Sequence, residues 1–317
     1  MTSATAAPSY CLFQDPWWLD LTTAGDWNEV RIANGSEVLA RLPYRKMRRH
    51  GARILTQPPL TPYLGPWYRS STAKAGSQFS ERRQLTAELV AQLPKAELFA
   101  QNQWPKIPDC LPFIWEGFSQ YTAYTHGFEE LTDLDALWRG FLEGTRREIR
   151  KAEKRVEILE SNDVDALLDL HERSFAQHGL AAPRGRTYVR AVVEGALRSE
   201  KARLVLGRDE QGNLHAANLL VFDERSAHYL LGGSDARFRT SGAASLLMWD
   251  AIRFATGRSR IFDFEGSMQE PIARFFRGFN PQMLAVSRLV RASRPAAVAL
   301  GLINVFATMV GRRRLQL

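Results

Sequence analysis

The chain has 317 residues, 45% hydrophobic and 24% charged, a globular composition that excludes a disordered or low-complexity protein and is long enough for two domains. A formal net charge of +8 and a pI near 9.7 favour an anionic partner such as a nucleotide, a nucleic acid or an acidic membrane surface. Cys11 and Cys110 make neither a disulfide framework nor a metal motif, no signal-peptide pattern opens the chain and no apolar run approaches the ~20 residues of a membrane span, so a cytoplasmic location is expected.

In chain order, Asp15-Pro-Trp-Trp-Leu and Trp27 mark an aromatic opening segment. Residues 29–33 and 38–42 read as strands around Asn34-Gly35, a pair that tolerates the positive φ of a tight hairpin turn. Arg41, Arg45, Lys46, Arg48, Arg49, His50 and Arg53 then crowd a turn region, as either a solvated loop or a phosphate-contacting patch. The prolines within 58–68 exclude helix, because each fixes φ and removes a donor. The stretch is expected to be a rigid loop whose Tyr63, Trp67 and Tyr68 either line a substrate cleft or pack as wall. A helix is predicted over 80–93, with Ser80 as N-cap and Pro94 beyond its end, followed by a strand over 96–100. The run Phe113-Ile-Trp-Glu-Gly-Phe118 adds Trp115 to the candidate substrate-binding residues, and 121–126 alternate like an exposed strand. From Leu134 one helix is predicted to about Arg155, with a basic outer face of Arg139, Arg146, Arg147, Arg150, Lys151, Lys154 and Arg155.

The second half opens with a strand over 156–159 and a helix capped by Asn162 or Asp163 that runs through Phe175. His171 and His178 lie two helical turns apart and read as helix-surface residues rather than as a metal pair, so no metal site is expected. A further helix is predicted over 188–197, and strands over 203–207, 215–222 and 227–231, the last ended by Gly232-Gly233. Arg237-Phe-Arg-Thr-Ser-Gly-Ala-Ala244 then leads into a helix bearing Leu246, Leu247, Trp249, Ile252 and Phe254. Free amides and the helix dipole at such a start suit a phosphate or pyrophosphate, which makes Arg237, Arg239, Thr240, Ser241, Gly242, Ala243 and Ala244 the candidate donor-binding residues. In the strand 260–266, Asp263 and Glu265 are expected on one face.

The two halves repeat. Phe113-Ile-Trp-Glu-Gly-Phe118 mirrors Arg274-Phe-Phe-Arg-Gly-Phe279 at an offset of 161, and the strand holding Phe99 mirrors the one holding Phe262 at an offset of 163. Each pair is preceded by an amphipathic helix and followed by an alternating strand, so two copies of one α/β domain are expected.

Arg239-Thr-Ser-Gly242-Ala-Ala244, between a strand and a helix, resembles the Arg/Gln-x-x-Gly-x-Gly/Ala loop of GNAT-type acyltransferases, whose amides hold the pyrophosphate of coenzyme A. With the basic stretch from Thr145, Phe262-Asp-Phe-Glu-Gly-Ser267 and the Phe-Phe-Arg-Gly-Phe follow-on, the chain is similar over roughly 10–290 to the FemAB-like branch of paired GNAT domains. The resemblance implies an α/β fold with mixed α+β sheets: a GNAT-like domain over 1–138, a second with the donor loop over 139–290, and a helical tail over 291–317. It also implies N-acyl transfer from an acyl-CoA or similar thioester to an amine acceptor such as a cell-envelope or saccharide precursor. Relatives that use aminoacyl-tRNA make aminoacyl transfer the alternative, and an inert membrane-surface scaffold is a third reading. No tightly bound cofactor is expected; the acyl carrier is a co-substrate.

Direct attack of an amine needs a proton acceptor and donors for the developing oxyanion. Glu265 is the candidate base and Asp263 the group that positions the amine, or the two form structural ion pairs with Arg274 or Arg277. Backbone amides near 231–233 are candidate oxyanion donors. The helix over 272–279 lacks the tyrosine that many GNAT enzymes use as general acid; Tyr229 is the substitute considered, and Ser267 joins the substrate-binding set. Residues 295–310 are nearly uncharged between Arg288, Arg291, Arg294 and Arg312, Arg313, Arg314, which suits peripheral membrane contact over 295–314 or a packed terminal helix.

Overall fold

The computed structural model describes residues 7–107, 109–177, 179, 181–266 and 270–296. The chain folds into two compact units, one formed by the residues up to Ala123 and those from Ala285 onward, the other by Tyr124–Leu284. The architecture is mixed α/β, as expected.

The first unit contains α1 (Pro16–Thr23), β1 (Asn28–Asn34), β2 (Glu37–Arg49), β3 (Ala52–Thr56), β4 (Trp67–Tyr68), α2 (Ala75–Gln92), β5 (Leu98–Asn102), α3 (Leu111–Trp115) and the start of β6 (Ser119–Phe128). β1, β2 and β3 pair antiparallel in sequence, and β3 runs parallel to β5 with Leu55 opposite Phe99. Leu42, Leu55, Leu89, Phe99, Phe113 and Phe118 form its core. The basic crowd after Arg41 is strand rather than turn, because β2 continues to Arg49. Arg41 is fully buried and bonds Glu29 through Nε at 2.7 Å, so it belongs to neither a solvated loop nor an open phosphate patch. Helix α2 starts at Ala75, five residues before the expected cap. Ser80 lies within it and donates back to the Gly76 carbonyl at 3.0 Å.

The second unit contains the end of β6, then α4 (Leu134–Gly140), α5 (Glu143–Ala152), β7 (Glu157–Ser161), α6 (Val164–Ala176), α7 (Arg186–Arg198), β8 (Ala202–Arg208), β9 (Leu214–Phe222), β10 (Ser226–Ser234), α8 (Ala243–Ala255), β11 (Ile261–Asp263), α9 (Glu270–Arg277) and the start of β12 (Gln282–Ala292). β7 to β10 pair antiparallel in sequence, while β10 runs parallel to β11 with Ala227 opposite Phe262. The single helix expected over 134–155 is two helices. Phe141 and Leu142 are extended, the Leu142 amide bonds the Gly278 carbonyl at 3.0 Å, and Phe141 buries its ring against Trp138, Trp249 and Phe279. Phe262, Phe264, Phe276 and Phe279 continue this core, each ring contributing roughly 1.5–3 kcal/mol by burial.

Each unit takes its last strand from the other half of the sequence. In the first, β12 pairs antiparallel with β5, Val290 opposite Ala100. In the second, β6 pairs antiparallel with β11, Phe128 opposite Phe262. The strand expected to be exposed over 121–126 is exposed only at its start; residues 125–128 are buried where β6 enters the second unit.

Candidate active site

The site begins where β10 and β11 part. Their parallel ladder ends at His228 opposite Asp263, after which Phe264 donates its amide to His126 O at 2.9 Å instead. Beyond that point the edge of β10 that faced β11 has no strand partner among the described residues. β10 also carries a bulge: Tyr229 faces Leu220 and Leu231 faces Leu219, leaving Leu230 as the extra residue. Gly232 and Gly233 are spoken for. His171 Nδ1 lies 2.9 Å from Gly232 O, and a Cβ on Gly233 would lie 2.3 Å from the backbone of Leu170. Both glycines let α6 pack on the strand, and His171 is buried there rather than on the helix surface. His178 lies outside the described residues.

Glu265 does not continue the strand. β11 ends at Asp263, and Glu265 adopts φ +52°, so the alternation expected to put both carboxylates on one face stops between them. Asp263 fixes this turn: its Oδ1 accepts from Thr125 Oγ1 at 2.6 Å and from the Glu265 amide at 2.8 Å. Thr125 Oγ1 in turn accepts the Gly266 amide at 2.7 Å, a closeness that Gly266 permits because a Cβ there would sit 2.0 Å from Tyr124 O. Asp263 also faces the fully buried His228, whose Nε2 lies 2.9 Å from Ser226 Oγ and which burial pushes down to about 3, keeping it neutral.

The Glu265 carboxyl is thereby enclosed. Its Oε1 is buried with no hydrogen-bond partner among the described residues. Burial, and then the charge of Asp263, raise it well above the ordinary carboxylate range. Neither Asp263 nor Glu265 pairs with Arg274, which bonds Glu270. Tyr229 stands beside Glu265; burial and then that carboxylate push its phenol up to about 12, and its hydroxyl lies over Gly232, where a Cβ would be 1.9 Å away. Tyr229 and His126 both pack on Phe276, at 6.1 Å between ring centroids. His126 Nδ1 has no partner among the described residues, and burial, with Arg277, lowers its proton affinity.

The donor loop is held from two sides. Asp235 accepts the Arg237 amide and pairs with the guanidinium groups of Arg237 and Arg173, which keeps its carboxyl well below the usual range. Lys151 donates to Thr240 O at 2.9 Å, and Ser241 Oγ accepts the Ala243 amide at 3.2 Å. Gly242 caps α8 at φ +79°, and a Cβ there would lie 2.6 Å from the Glu148 carbonyl of α5. The residue is therefore glycine for close approach as well as for its backbone angle. Arg239 and Thr240 are exposed, as is Ala244 in the first turn of α8. The Ala244 and Ser245 amides have no acceptor among the described residues, the arrangement an anion at a helix start requires.

The remaining candidates belong to the first unit. Tyr63 is buried against Phe13 and Trp104, and Tyr68 is buried with its hydroxyl 2.7 Å from Thr86 Oγ1, so both have core roles. Trp67 is half-buried against Tyr10. Trp115 is 52% exposed, edge-on to Phe79 and under the Arg83 guanidinium. Ser267 lies outside the described residues. Sequence reasoning passed over Thr125, His126, His228 and Glu148, of which only the two histidines carry a signal in composition.

Residues 139–277 match the acetyltransferase (GNAT) domain family. The chain thus contains a GNAT acyltransferase domain, and it is an acyltransferase. Its whole fold is similar to the crystal structure of FemX, at 14% identity, with a TM-score of 0.68 and coverage of 94% of this chain and 95% of that one. It is also similar to the C-terminal domain of a candidate lysylphosphatidylglycerol synthetase from Agrobacterium fabrum (14% identity, TM-score 0.56, 92% of each chain). A third likeness is to L-PGS from Bacillus licheniformis (12% identity, TM-score 0.55, covering 93% and 92%). No curated protein matches. Among the described residues no helix is long and apolar enough to cross a membrane, and no His, Cys, Asp and Glu group suits a metal.

Proposed function

We propose that the chain transfers an acyl group from an activated carrier to an amine by direct attack, with Glu265 moving the proton. The observation that carries this reading is the enclosed Glu265 carboxyl, without a partner for Oε1 among the described residues, beside Tyr229 and at the point where β10 and β11 diverge. A slender, amide-bearing carrier arm suits the unpaired edge of β10, and the carrier's phosphates suit the first-turn amides of α8 with Arg239, Thr240 and Ser241 around them. The amine nitrogen attacks the carbonyl carbon, the carbon–nitrogen bond forms and the bond to the carrier's sulfur or oxygen breaks. Ionised Glu265 accepts the proton lost by nitrogen and returns it to the leaving atom, while backbone amides at the bulge of β10 and the Tyr229 hydroxyl would offer hydrogen bonds to the developing oxyanion. A carboxyl raised this far is a stronger base than an ordinary glutamate once ionised, so the rate should rise with pH through a value well above the ordinary 4.5.

Acyl-CoA is the donor favoured for this site. The alternative, aminoacyl-tRNA, is favoured by the net charge of +8 and by the exposed Lys151, Lys154 and Arg155 beside the donor loop. The two units would be copies of one ancestral domain, supported by the matching order sheet, helix, parallel strand, short helix, exchanged strand. The acceptor, a cell-envelope or saccharide amine, and a membrane contact of 295–314, which lies almost wholly outside the described residues, belong to the same proposal.

The test is a thermal-shift titration with coenzyme A and acetyl-CoA, repeated with Ala244→Glu. A carboxylate in the first turn suits the helix dipole but repels a phosphate, so the unliganded melting temperature should hold while the ligand-induced shift disappears. Gly242→Trp would be uninformative, because the helix contact at Gly242 fails with any side chain. No shift in the wild type at millimolar ligand would sink the coenzyme A donor; binding of charged tRNA that weakens steeply with salt would then favour the alternative.

A further inference from the structure

A cavity of about 230 Å³ opens in the first unit between α2 and the end of β4. It is smaller than the ~300 Å³ at which sites for drug-sized ligands begin, so its occupant is small. Gln78, Glu81 and Arg82 line it from one face of α2, and Tyr10, Tyr68 and Arg69 line it as well. Most of the polar groups there are already committed. The Tyr10 hydroxyl donates to Tyr68 O at 3.0 Å and accepts the Tyr68 amide at 3.1 Å, and the Tyr68 hydroxyl lies 2.7 Å from Thr86 Oγ1. Arg69 is held between Glu37 and Glu81, at 2.9 Å from each. Gln78 Nε2 donates to Ser71 O at 3.1 Å and to Ala73 O at 2.7 Å, which fixes the orientation of its amide.

Three groups remain. Arg82 is half-buried with its guanidinium 5.5 Å from the Tyr68 ring centroid, and no carboxylate pairs with it among the described residues. Neither phenol compensates its charge, because burial raises both above the usual tyrosine range and keeps them neutral. Gln78 Oε1 and the second carboxylate oxygen of Glu81 are acceptors with no donor among the described residues. A free cation and two free acceptors thus lie within one turn of α2. An inorganic anion would be drawn to Arg82 and repelled by Glu81, and a simple amine would meet the reverse. A small zwitterion uses both, with its carboxylate on the Arg82 guanidinium and its ammonium toward Glu81 and Gln78 Oε1. We propose that this cavity binds a free α-amino acid with a short side chain. The site shares no residue with the acyl-transfer site and does not rest on that reading.

The test is calorimetric titration of the full chain with L-alanine, set against propionate, which lacks the ammonium, and ethylamine, which lacks the carboxylate. L-Alanine should bind at least about tenfold more tightly than either, since each analogue leaves one charge-assisted contact unmade. Arg82→Gln should weaken L-alanine by a similar factor. Glu81→Gln should weaken L-alanine but tighten propionate, an inversion that damage to the fold cannot produce and that decides the matter even if Arg82→Gln unfolds. Glu265→Gln should bind L-alanine as the wild type does. The site is overturned by the absence of binding at tens of millimolar L-alanine, by equal affinity for L-alanine and either analogue, or by an affinity that neither Arg82→Gln nor Glu81→Gln changes. Loss of binding in Glu265→Gln would also overturn it, because the amino acid would then occupy the transfer site instead.

Discussion

The two units build the same corner and finish it differently. In each, a helix leads into a short strand that runs parallel to the last strand of an antiparallel series, β3 in one with Phe99 opposite Leu55 and β10 in the other with Phe262 opposite Ala227. At the offset that aligns those phenylalanines, Asp263 and Glu265 correspond to Ala100 and Asn102. Asn102 is tied to the loop: its amide bonds Gln57 Oε1 at 2.6 Å, its carbonyl accepts from Leu64 N at 2.8 Å and its Nδ2 donates to Pro62 O at 3.0 Å. Glu265 leaves a buried oxygen with no hydrogen-bond partner among the described residues. One strand end braces a proline-rich loop, while the other keeps a carboxyl desolvated and uncommitted. An unsatisfied buried group costs about 1–3 kcal/mol, and although Gln101 Oε1 and Gln103 Nε2 beside Asn102 are also buried without a partner among the described residues, only Glu265 can exchange a proton, which makes its corner the place to expect chemistry.

The largest effect should come from removing that asymmetry at Glu265. Glu265→Gln keeps the shape and the neutral charge but cannot exchange the proton, and transfer should fall by about 10²- to 10⁴-fold. Stability should move the other way. The folded protein holds the Glu265 proton more tightly than the unfolded chain does, so the buried neutral carboxyl costs little extra below about pH 4.5 and progressively more as pH rises toward its folded value. The melting temperature of Glu265→Gln should therefore match the wild type below about pH 4.5 and exceed it by a margin that grows as pH rises from there toward the raised folded value. A variant that is equally active, or that melts lower across the whole range, would remove Glu265 from the mechanism.

Next in size is Gly242→Ala. The added Cβ meets the Glu148 carbonyl at 2.6 Å and must accept φ +79°, which together should destabilise the second unit by roughly 2–4 kcal/mol and loosen α8 from α5. Chemical denaturation checks the magnitude, and hydrogen exchange over 143–152 and 243–255 checks the place. Unchanged stability would mean that α5 yields readily and that the loop is not preset by this contact.

Local signals were legible and long-range ones were not. The hairpin between β1 and β2 (its turn one residue later than expected, at Gly35-Ser36, with Asn34 still paired to Glu37), the start of the helix at Ala243 and the corresponding positions of Phe99 and Phe262 all lie in short stretches whose residues determine their own geometry. The break between α4 and α5 depends on the Gly278 carbonyl, more than a hundred residues away, and nothing in the periodicity of 134–155 signals it. The candidate site shows the same division. Alternation put Asp263 and Glu265 on one face because it has no means of knowing that Thr125, 138 positions earlier, takes the Asp263 carboxylate and anchors the turn that carries Glu265 to positive φ. His171 looked like a surface histidine because the two glycines that admit α6 to β10 read equally well as a strand end. Tyr63 and Tyr68 looked like cleft residues because a rigid aromatic loop reads the same from outside and inside.

The smallest effect on transfer belongs to the other corner, and it tests the comparison most directly. Asn102→Ala removes the Nδ2 bond to Pro62 O but leaves the backbone bonds to Gln57 and Leu64, so the loop over 57–64 loses one of its ties. A single bond of this kind is worth about 1 kcal/mol net, with a further cost for the Pro62 carbonyl wherever water cannot reach it. The first unit should lose roughly 1–2 kcal/mol by denaturant midpoint, while transfer at saturating donor stays within about twofold, because no proton passes through an asparagine amide. If Asn102→Ala instead costs as much activity as Glu265→Gln, the first corner takes part in the chemistry, and the contrast between a bracing strand end and a reactive one is wrong.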